Sequence, residues 1–217
     1  MIKGIVFDMD GTLLDTEKLF IRFWLEAAHQ MGFPMERKHA LMIRGMATDM
    51  AKALLQREVC ETFAYSEVRE LRCRLMETYV DQHGVECKPK AKETLALLKE
   101  KGYRIGLATA SNLERATKYL RMAGLLEYFD DITVAAMVKR GKPAPDIYQH
   151  AAMRLGLDTQ ETVGVEDAPS GIRSVHAAGL TAILIPDQDI PDESVCALCD
   201  AILPGLDALI PWIEQKK

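Results

Sequence analysis

The chain of 217 residues lacks any long apolar run and any excess of basic residues. No stretch approaches the roughly 18 apolar residues that a membrane-spanning helix needs, so no membrane contact is expected. Lysine and arginine number 27 against 32 aspartates and glutamates, which argues against nucleic-acid binding through a basic surface. The first apolar stretch is only as long as a strand and leads into acids, so no signal peptide is expected. These absences predict a soluble cytoplasmic protein.

The cysteines form no complete zinc-binding pattern. The five cysteines, an odd number, fall at positions 60, 73, 87, 196 and 199, and reduced thiols are expected. Cys196 and Cys199 have the CxxC spacing, but no second pair completes a zinc site, so two thiols on a short helix is the simpler interpretation. The five histidines show no metal-ligand spacing, and the chain has no repeats, low-complexity segments or long linkers.

The apolar patterning divides the chain into two kinds of segment. Residues 4–7 form a continuous apolar run, typical of a strand buried on both faces. Residues 16–84 show helical spacing and no strand pattern, whereas strands and helices alternate from about residue 85 onward, which predicts right-handed βαβ units and a parallel sheet. The predicted helices are 16–31, 36–44, 48–58, 66–82, 91–101, 113–123, 145–155, 170–178 and 206–213, and the further strands are 104–108, 131–135, 162–165, 181–185 and 201–203.

The expected fold is therefore α/β, with a Rossmann-like parallel-sheet core and an inserted all-helical domain. The core comprises residues 1–15 and 85–217, and the insert comprises residues 16–84. Ligands of such sheets bind at the carboxyl ends of the strands, and the insert leaves the chain at that edge. It would cover the site like a lid, on a two-stranded hinge formed by residues 13–17 and 82–89. A monomer is expected.

Two acids follow the first strand in the stretch MIKGIVFDMDGTLLD. Side chains two residues apart on an extended segment point the same way, so Asp8 and Asp10 can share a site, and Gly11 allows a sharp turn. Taken alone, the motif fits a plain Asp-Gly turn better. Like charges this close repel unless a cation holds them. A Mg²⁺ site would need further oxygen ligands, and Glu166 and Asp167 follow another apolar strand.

Two further segments carry groups suited to binding an anion. The segment ATASN, with Thr109, Ala110, Ser111 and Asn112, links a strand to a helix and offers hydroxyls and backbone N–H groups; an ordinary helix N-cap is the alternative. Lys142 lies in the loop GKPAPD, which two prolines stiffen. Beside several carboxylates it would neutralise them and bind phosphate, although most loop lysines are only solvated.

In this order, the segments DMDGTLLD, ATAS, GKPAPD and VEDAPSG resemble the four motifs of the haloacid dehalogenase superfamily. The match covers essentially the whole chain. The helical insert resembles the family's α-helical cap, and the chain looks like the β-phosphoglucomutase-related branch of small-molecule phosphatases.

The resemblance implies a role for each motif. Asp8 would be the nucleophile that forms an aspartyl-phosphate, and Asp10 would protonate the leaving oxygen and then deprotonate water. Mg²⁺ would be held by Asp8, the backbone carbonyl of Asp10 and Asp167, with Glu166 supporting or ligating. The residues expected to bind phosphate or substrate are Thr109, Ala110, Ser111, Asn112 and Lys142 in the core, and Thr16, Arg44 and Gly45 in the insert.

The reaction expected is hydrolysis of a small phosphorylated metabolite, with sugar phosphates as the commonest choice in the family. The alternative is a β-phosphoglucomutase-type mutase, which has a histidine where this chain has Phe20 and a cap arginine where it has Thr48. Both differences favour a phosphatase. Arg44 is either a solvated helix-end residue or a substrate contact. A binding module without catalysis is the remaining alternative, although every chemical position carries the expected residue type.

Overall fold

The centre of the fold is a parallel β-sheet with the strand order β3-β2-β1-β4-β5-β6. The computed structural model describes residues 1–44, 46, 48–188 and 192–216. The chain runs outward from β1 in both directions, so the carboxyl end of β1 is a topological switch point, where such sheets bind ligands. The strands are β1 (Gly4–Phe7), β2 (Arg104–Thr109), β3 (Asp131–Val134), β4 (Thr162–Glu166), β5 (Thr181–Leu184) and β6 (Ala201–Ile202).

Helices cover both faces of the sheet, because its strands are apolar on both faces. One face contributes side chains such as Phe7 and Leu107 to the largest apolar cluster, and the other contributes Val6 and Ala108 to a second cluster with Tyr148. The helices of this part are α5 (Ala91–Glu100), α6 (Leu113–Met122), α7 (Asp146–Arg154), α8 (Pro169–Ala177), α9 (Glu193–Cys196) and α10 (Leu209–Glu214).

Among the described residues between β1 and α5, four helices share an apolar cluster of their own. This cluster includes Trp24, Leu55, Phe63 and Val68. The helices are α1 (Glu17–Gln30), α2 (Arg37–Met42), α3 (Thr48–Glu58) and α4 (Tyr65–His83). The insert predicted between the first two strands is therefore helical, as expected. Its assignment as a separate domain stays a prediction.

Two chain segments connect these helices to the sheet. Leu14 and Cys87 form an antiparallel bridge, and the Asp15 N–H donates to the Glu86 carbonyl at 2.9 Å. Of the two-stranded connection expected at 13–17 and 82–89, residues 13–15 and 86–88 pair, whereas residue 17 lies in α1 and residues 82–83 lie in α4. Its movement as a hinge stays a prediction.

The predicted fold class is confirmed, with boundaries shifted by one or two residues in most elements. The largest difference is the last helix, predicted from residue 206, where a 3₁₀ turn (Leu206–Ala208) precedes α10. In the described part of the chain, no helix is both long and apolar enough to cross a membrane. Cys196 ends α9, and burial raises the pKa of Cys199 to about 11, which disfavours a reactive thiolate pair.

Candidate active site

Lys142 joins the acids of two neighbouring strands at the carboxyl edge of the sheet. Its Nζ lies 2.5 Å from Asp8 Oδ1, 2.5 Å from Glu166 Oε1 and 3.0 Å from the Ala108 carbonyl oxygen. An ammonium group has three N–H donors, so these acceptors use all of them. The sequence prediction that Lys142 neutralises carboxylates rather than facing solvent matches this geometry.

The ionisation of this cluster is set by burial and by the lysine. Burial raises the pKa of Asp8 well above its ordinary value, and the Lys142 ammonium opposes that rise. Burial lowers the pKa of Lys142, but Asp8 and Glu166 more than reverse this, so the net pKa is raised. Lys142 therefore stays charged at neutral pH.

Three buried carboxylates, those of Asp8, Glu166 and Asp167, have oxygen atoms within 4.8 Å of one another. Burial raises the pKa of Asp167 well above its ordinary value, and the charges of Glu166 and Glu17 raise it further. Hard oxygen ligands at this spacing suit a cation such as Mg²⁺.

The balance of charge at this edge also fits a divalent cation. The four carboxylates of Asp8, Glu166, Asp167 and Glu17 face two cationic side chains, those of Lys142 and Arg44, among the described residues that pair with them. With all four carboxylates ionised, two negative charges are in excess. The pKa values of Asp8, Asp167 and Glu17 are raised by burial and in part by the mutual repulsion of these acids, which a further cation would relieve. The donor set and its charge therefore fit a divalent metal.

Arg44 reaches this site from the helical insert. Its Nη2 lies 2.5 Å from Asp167 Oδ2, and its Nε lies 3.1 Å from Glu17 Oε2. Burial raises the pKa of Glu17 to about 7, although Arg44 opposes the rise. Of the two alternatives left open by the sequence, the solvated helix end is wrong, because the Arg44 side chain is only 7% exposed. Gly45, predicted beside it as a substrate contact, lies outside the described residues.

The Asp10 carboxylate has a different set of hydrogen-bond partners, and two of them, Ser111 and Arg115, follow β2 in the chain. Its Oδ1 accepts from Thr16 Oγ1 at 2.6 Å and from Arg115 Nη2 at 2.8 Å. Its Oδ2 accepts from Arg115 Nη1 at 3.0 Å and from Ser111 Oγ at 3.1 Å. Burial acts to raise the pKa of Asp10, but Arg115 and the hydroxyl donors outweigh it and the net pKa is lowered. Asp10 is therefore held as a carboxylate.

Arg115 is a site residue that the sequence analysis missed. It also donates to Ser111 Oγ, and its guanidinium carbon lies 4.4 Å from the ring centroid of Tyr119 and 4.9 Å from that of Phe20. The sequence carried a signal that could have identified Arg115, because this residue lies in the first turn of the helix that follows ATASN. The N-terminal ends of such helices lie at the ligand edge of the sheet.

The rest of the predicted anion-binding segment lies at the same edge. Thr109 Oγ1 accepts from the Ser111 N–H at 3.1 Å, and Ala110 is exposed. Asn112 Oδ1 accepts from the Arg115 N–H at 2.8 Å and caps α6, as the N-cap alternative expects. Phosphate binding by this segment stays a prediction.

Two buried features set the position of Glu166. The Tyr148 hydroxyl donates to Glu166 Oε1 at 2.7 Å. A Cβ at position 171 would overlap the Glu166 carboxyl group, so only glycine leaves room for it. The same holds at Gly11, which has φ +89° and where a Cβ would overlap the Asp167 carboxyl group. The sequence showed the glycines and the tyrosine but not their contacts.

The sequence and the fold of this chain are similar to those of known hydrolases. The family of haloacid dehalogenase-like hydrolases matches residues 2–179. The chain belongs to this family, as the four motifs indicated.

Curated relatives and solved structures extend the match over nearly the whole chain. Hexitol phosphatase B of Escherichia coli (strain K12) is 31% identical over 222 residues, covering 96% of this chain and 94% of the relative. The β-phosphoglucomutase of Bacillus subtilis (strain 168) is 29% identical over 188 residues, covering 84% and 82%. The crystal structure of a β-phosphoglucomutase from Clostridium difficile shares the fold with a TM-score of 0.82 at 22% identity, covering 100% of this chain and 97% of that one.

Proposed function

We propose that this chain is a Mg²⁺-dependent phosphatase that hydrolyses small phosphate monoesters, sugar phosphates above all, through an aspartyl-phosphate on Asp8. The observation that carries the proposal is the buried group formed by Asp8, Glu166 and Asp167 with Lys142 between two of them. The similarity to hexitol phosphatase B supports the class of substrate.

Asp8 is assigned the role of nucleophile. One Asp8 carboxylate oxygen attacks the phosphorus atom, a new P–O bond forms, and the bond from phosphorus to the ester oxygen breaks. Lys142, in contact with Asp8 at 2.5 Å, offsets the repulsion between the carboxylate and the phosphate. Mg²⁺ held by Asp8, Glu166, Asp167 and the Asp10 carbonyl would supply further charge neutralisation at the transferring phosphoryl group. We assign the binding of the phosphate oxygens to Thr109, Ser111 and the backbone N–H groups of the segment ATASN.

Asp10 is assigned the proton transfers. Because Arg115 and the hydroxyl donors hold Asp10 as a carboxylate before a substrate binds, Asp10 must first take up a proton as the substrate displaces one of these donors. It gives that proton to the leaving oxygen in the first half of the reaction, and it takes one from the attacking water in the second. The water attacks the phosphorus of the aspartyl-phosphate, the P–O bond to Asp8 breaks, and inorganic phosphate leaves. Because the two oxygens of Asp10 already accept four hydrogen bonds, the leaving oxygen must replace one of these donors. Ser111, at 3.1 Å, makes the longest of the four.

We assign residues 16–84 to a cap domain and residues 1–15 with 85–217 to the catalytic core. The separate apolar cluster of the insert and its two-stranded connection support this division. The contacts of Arg44 with Asp167 and of Glu77 with Lys118 and Tyr119 join cap to core. Opening of the cap would admit the substrate, and closing would exclude bulk water from the aspartyl-phosphate.

The test of the proposal is phosphate release by the purified chain from a panel of phosphate esters. The panel contains hexitol phosphates, hexose phosphates, β-glucose 1-phosphate and nucleotides, each with Mg²⁺, with EDTA, and with Mg²⁺ restored. Phosphate release that is lost with EDTA and restored with Mg²⁺ is expected. Conversion of β-glucose 1-phosphate to glucose 6-phosphate without net phosphate release, given a bisphosphate primer, would instead make the chain a mutase. No turnover of any ester would overturn the proposal.

The role of Asp10 predicts a dependence on the leaving group. Asp10→Asn is expected to lower kcat/KM for a sugar phosphate about 10²- to 10⁴-fold, because an alkoxide leaves slowly without a proton. It is expected to lower kcat/KM for p-nitrophenyl phosphate far less, because nitrophenolate leaves without one and kcat/KM does not include the later attack of water. Asp8→Asn serves as the comparison, since it must slow both substrates alike. Equal losses on both substrates for Asp10→Asn would show that Asp10 is not the general acid.

A further inference from the structure

Arg72 interrupts the buried apolar face of helix α4. The buried positions of this helix are Tyr65, Val68, Arg72, Met76 and Val80, spaced three or four residues apart. Val68 belongs to the apolar cluster of the cap, whereas Met76 and Val80 belong to the large cluster of the core. The arginine therefore lies where the two clusters meet, at the junction of cap and core.

The Arg72 guanidinium is buried without an acidic partner in the described part of the chain. The residue is 8% exposed, its Nε has no hydrogen-bond partner, and its Nη1 faces only the sulfur of Met76 at 3.9 Å. Its carbon lies 4.9 Å from the ring centroid of Phe20 and 5.4 Å from that of Trp24. Aromatic rings compensate a buried cation only in part, and a buried charge ordinarily needs an opposite one.

The position of Arg72 relative to Asp10 places it within reach of the organic part of a substrate whose leaving oxygen meets Asp10. The Phe20 ring lies 4.9 Å from the guanidinium carbons of both Arg72 and Arg115, so these two carbons are within about 10 Å of each other. Arg115 holds the Asp10 carboxylate. Phe20 also follows Thr16 by one helical turn, and Thr16 is a second donor to Asp10. A sugar phosphate whose leaving oxygen meets Asp10 has the length to approach Arg72.

The charges around the Phe20 ring leave one positive charge unmatched. Arg115 is neutralised by Asp10, and Arg72 adds a second cation without a second acid. Glu77, the nearest acid along α4 towards the core, is already paired with Lys118 and accepts from Tyr119. The unmatched charge suits an anionic ligand group.

We infer that Arg72 binds an anionic group of the substrate, a carboxylate or a second phosphate, at the end remote from the phosphate that reacts at Asp8. This inference rests on the proposed function and narrows its substrates to phosphate esters with a second anion. In the bound substrate, that second anionic group would lie at the junction between cap and core. There the guanidinium gains the hydrogen bonds and the counter-charge that the protein itself does not provide.

The experiment compares matched pairs of substrates that differ in one anionic group. The pairs are 6-phosphogluconate with glucose 6-phosphate, and fructose 1,6-bisphosphate with fructose 6-phosphate. The first tests a carboxylate and the second a phosphate. The wild-type chain is expected to favour at least one anionic member in kcat/KM. Arg72→Met, which continues the apolar face, is expected to lose about 10- to 100-fold on that member through KM, with little change on the partner that lacks the second anionic group or on p-nitrophenyl phosphate.

Two further variants separate binding from a structural role. Arg72→Lys keeps the charge and is expected to restore part of the preference. Arg74→Met removes an arginine on the same helix that is 63% exposed and paired with Glu70, and it should leave both members of each pair unaffected. Equal losses in Arg72→Met on substrates with and without the second anionic group, or no preference in the wild type, would make Arg72 a structural cation and overturn the inference.

A binding measurement keeps this test independent of turnover. Calorimetry with the Asp8→Asn variant measures the affinity for 6-phosphogluconate, fructose 1,6-bisphosphate and glucose 6-phosphate without any reaction. Tighter binding of an anionic member, lost when Arg72→Met is added, would support the subsite even if no ester were hydrolysed. Equal affinities would overturn it, whatever the phosphatase assay shows.

Discussion

Asp8→Asn is expected to lower phosphate release by about 10⁴-fold or more, because an amide is a poor nucleophile and the loss of a reacting group costs an enzyme this much. The amide also removes the charge that Lys142 pairs with at 2.5 Å. Steady-state phosphate release with the best ester of the panel measures the loss. Rapid quenching followed by mass spectrometry of the protein should find a phosphoryl adduct on Asp8 in the wild type and none in the variant.

Asp207→Asn provides the matched control for this loss. Asp207 is exposed and lies near the C-terminal helix, so the same change of acid to amide there should leave turnover unaffected. Retention of more than a few per cent of the wild-type rate by Asp8→Asn, or an adduct on another residue, would contradict the role given to Asp8.

Lys142→Met is expected to lower kcat/KM by about 10²-fold or more, the usual cost of removing one preorganised charge-stabilising donor. The lysine is the shared partner of Asp8 and Glu166, so its loss leaves two buried carboxylates facing each other. A second consequence concerns acid–base behaviour. With the opposing ammonium removed, burial raises the pKa of Asp8 still further, and a larger share of the nucleophile is protonated at a given pH. The pH at which kcat/KM falls on the acid side should therefore move upward.

The measurement is a pH profile of phosphate release for Lys142→Met beside that of Lys139→Met. Lys139 is an exposed lysine three residues earlier in the same loop, and its substitution should change neither rate nor profile. Circular dichroism at each pH shows whether the variant is folded, because removing one partner of a buried ion pair is destabilising. A folded Lys142→Met variant with the wild-type rate and profile would show that Lys142 has no part in the reaction.

Some residues of the candidate site can be identified from the sequence, and others only from the tertiary packing. Asp8, Asp10, Glu166 and Asp167 were found because each follows an apolar strand, and parallel strands bring their carboxyl ends to one edge. Their different partners were not predictable. Asp8 and Asp10 stand two residues apart, yet one pairs with Lys142 and the other with Arg115.

The sequence alone determined the class of fold, the order of the helices and strands, and the acids at the sheet edge. These follow from local rules, since apolar spacing shows which face of an element is buried, and strand exits mark the ligand edge. The tertiary structure decided which cation meets which acid. Arg115 is separated from Asp10 by 105 positions and Arg44 from Asp167 by 123. The place of Arg115 at the start of a helix indicates the ligand edge but not its partner, and nothing local distinguishes Arg44 from an exposed arginine. Arg72 was hidden for the same reason, because hydrophobic periodicity predicts that a position is buried but not whether a charge there has a partner.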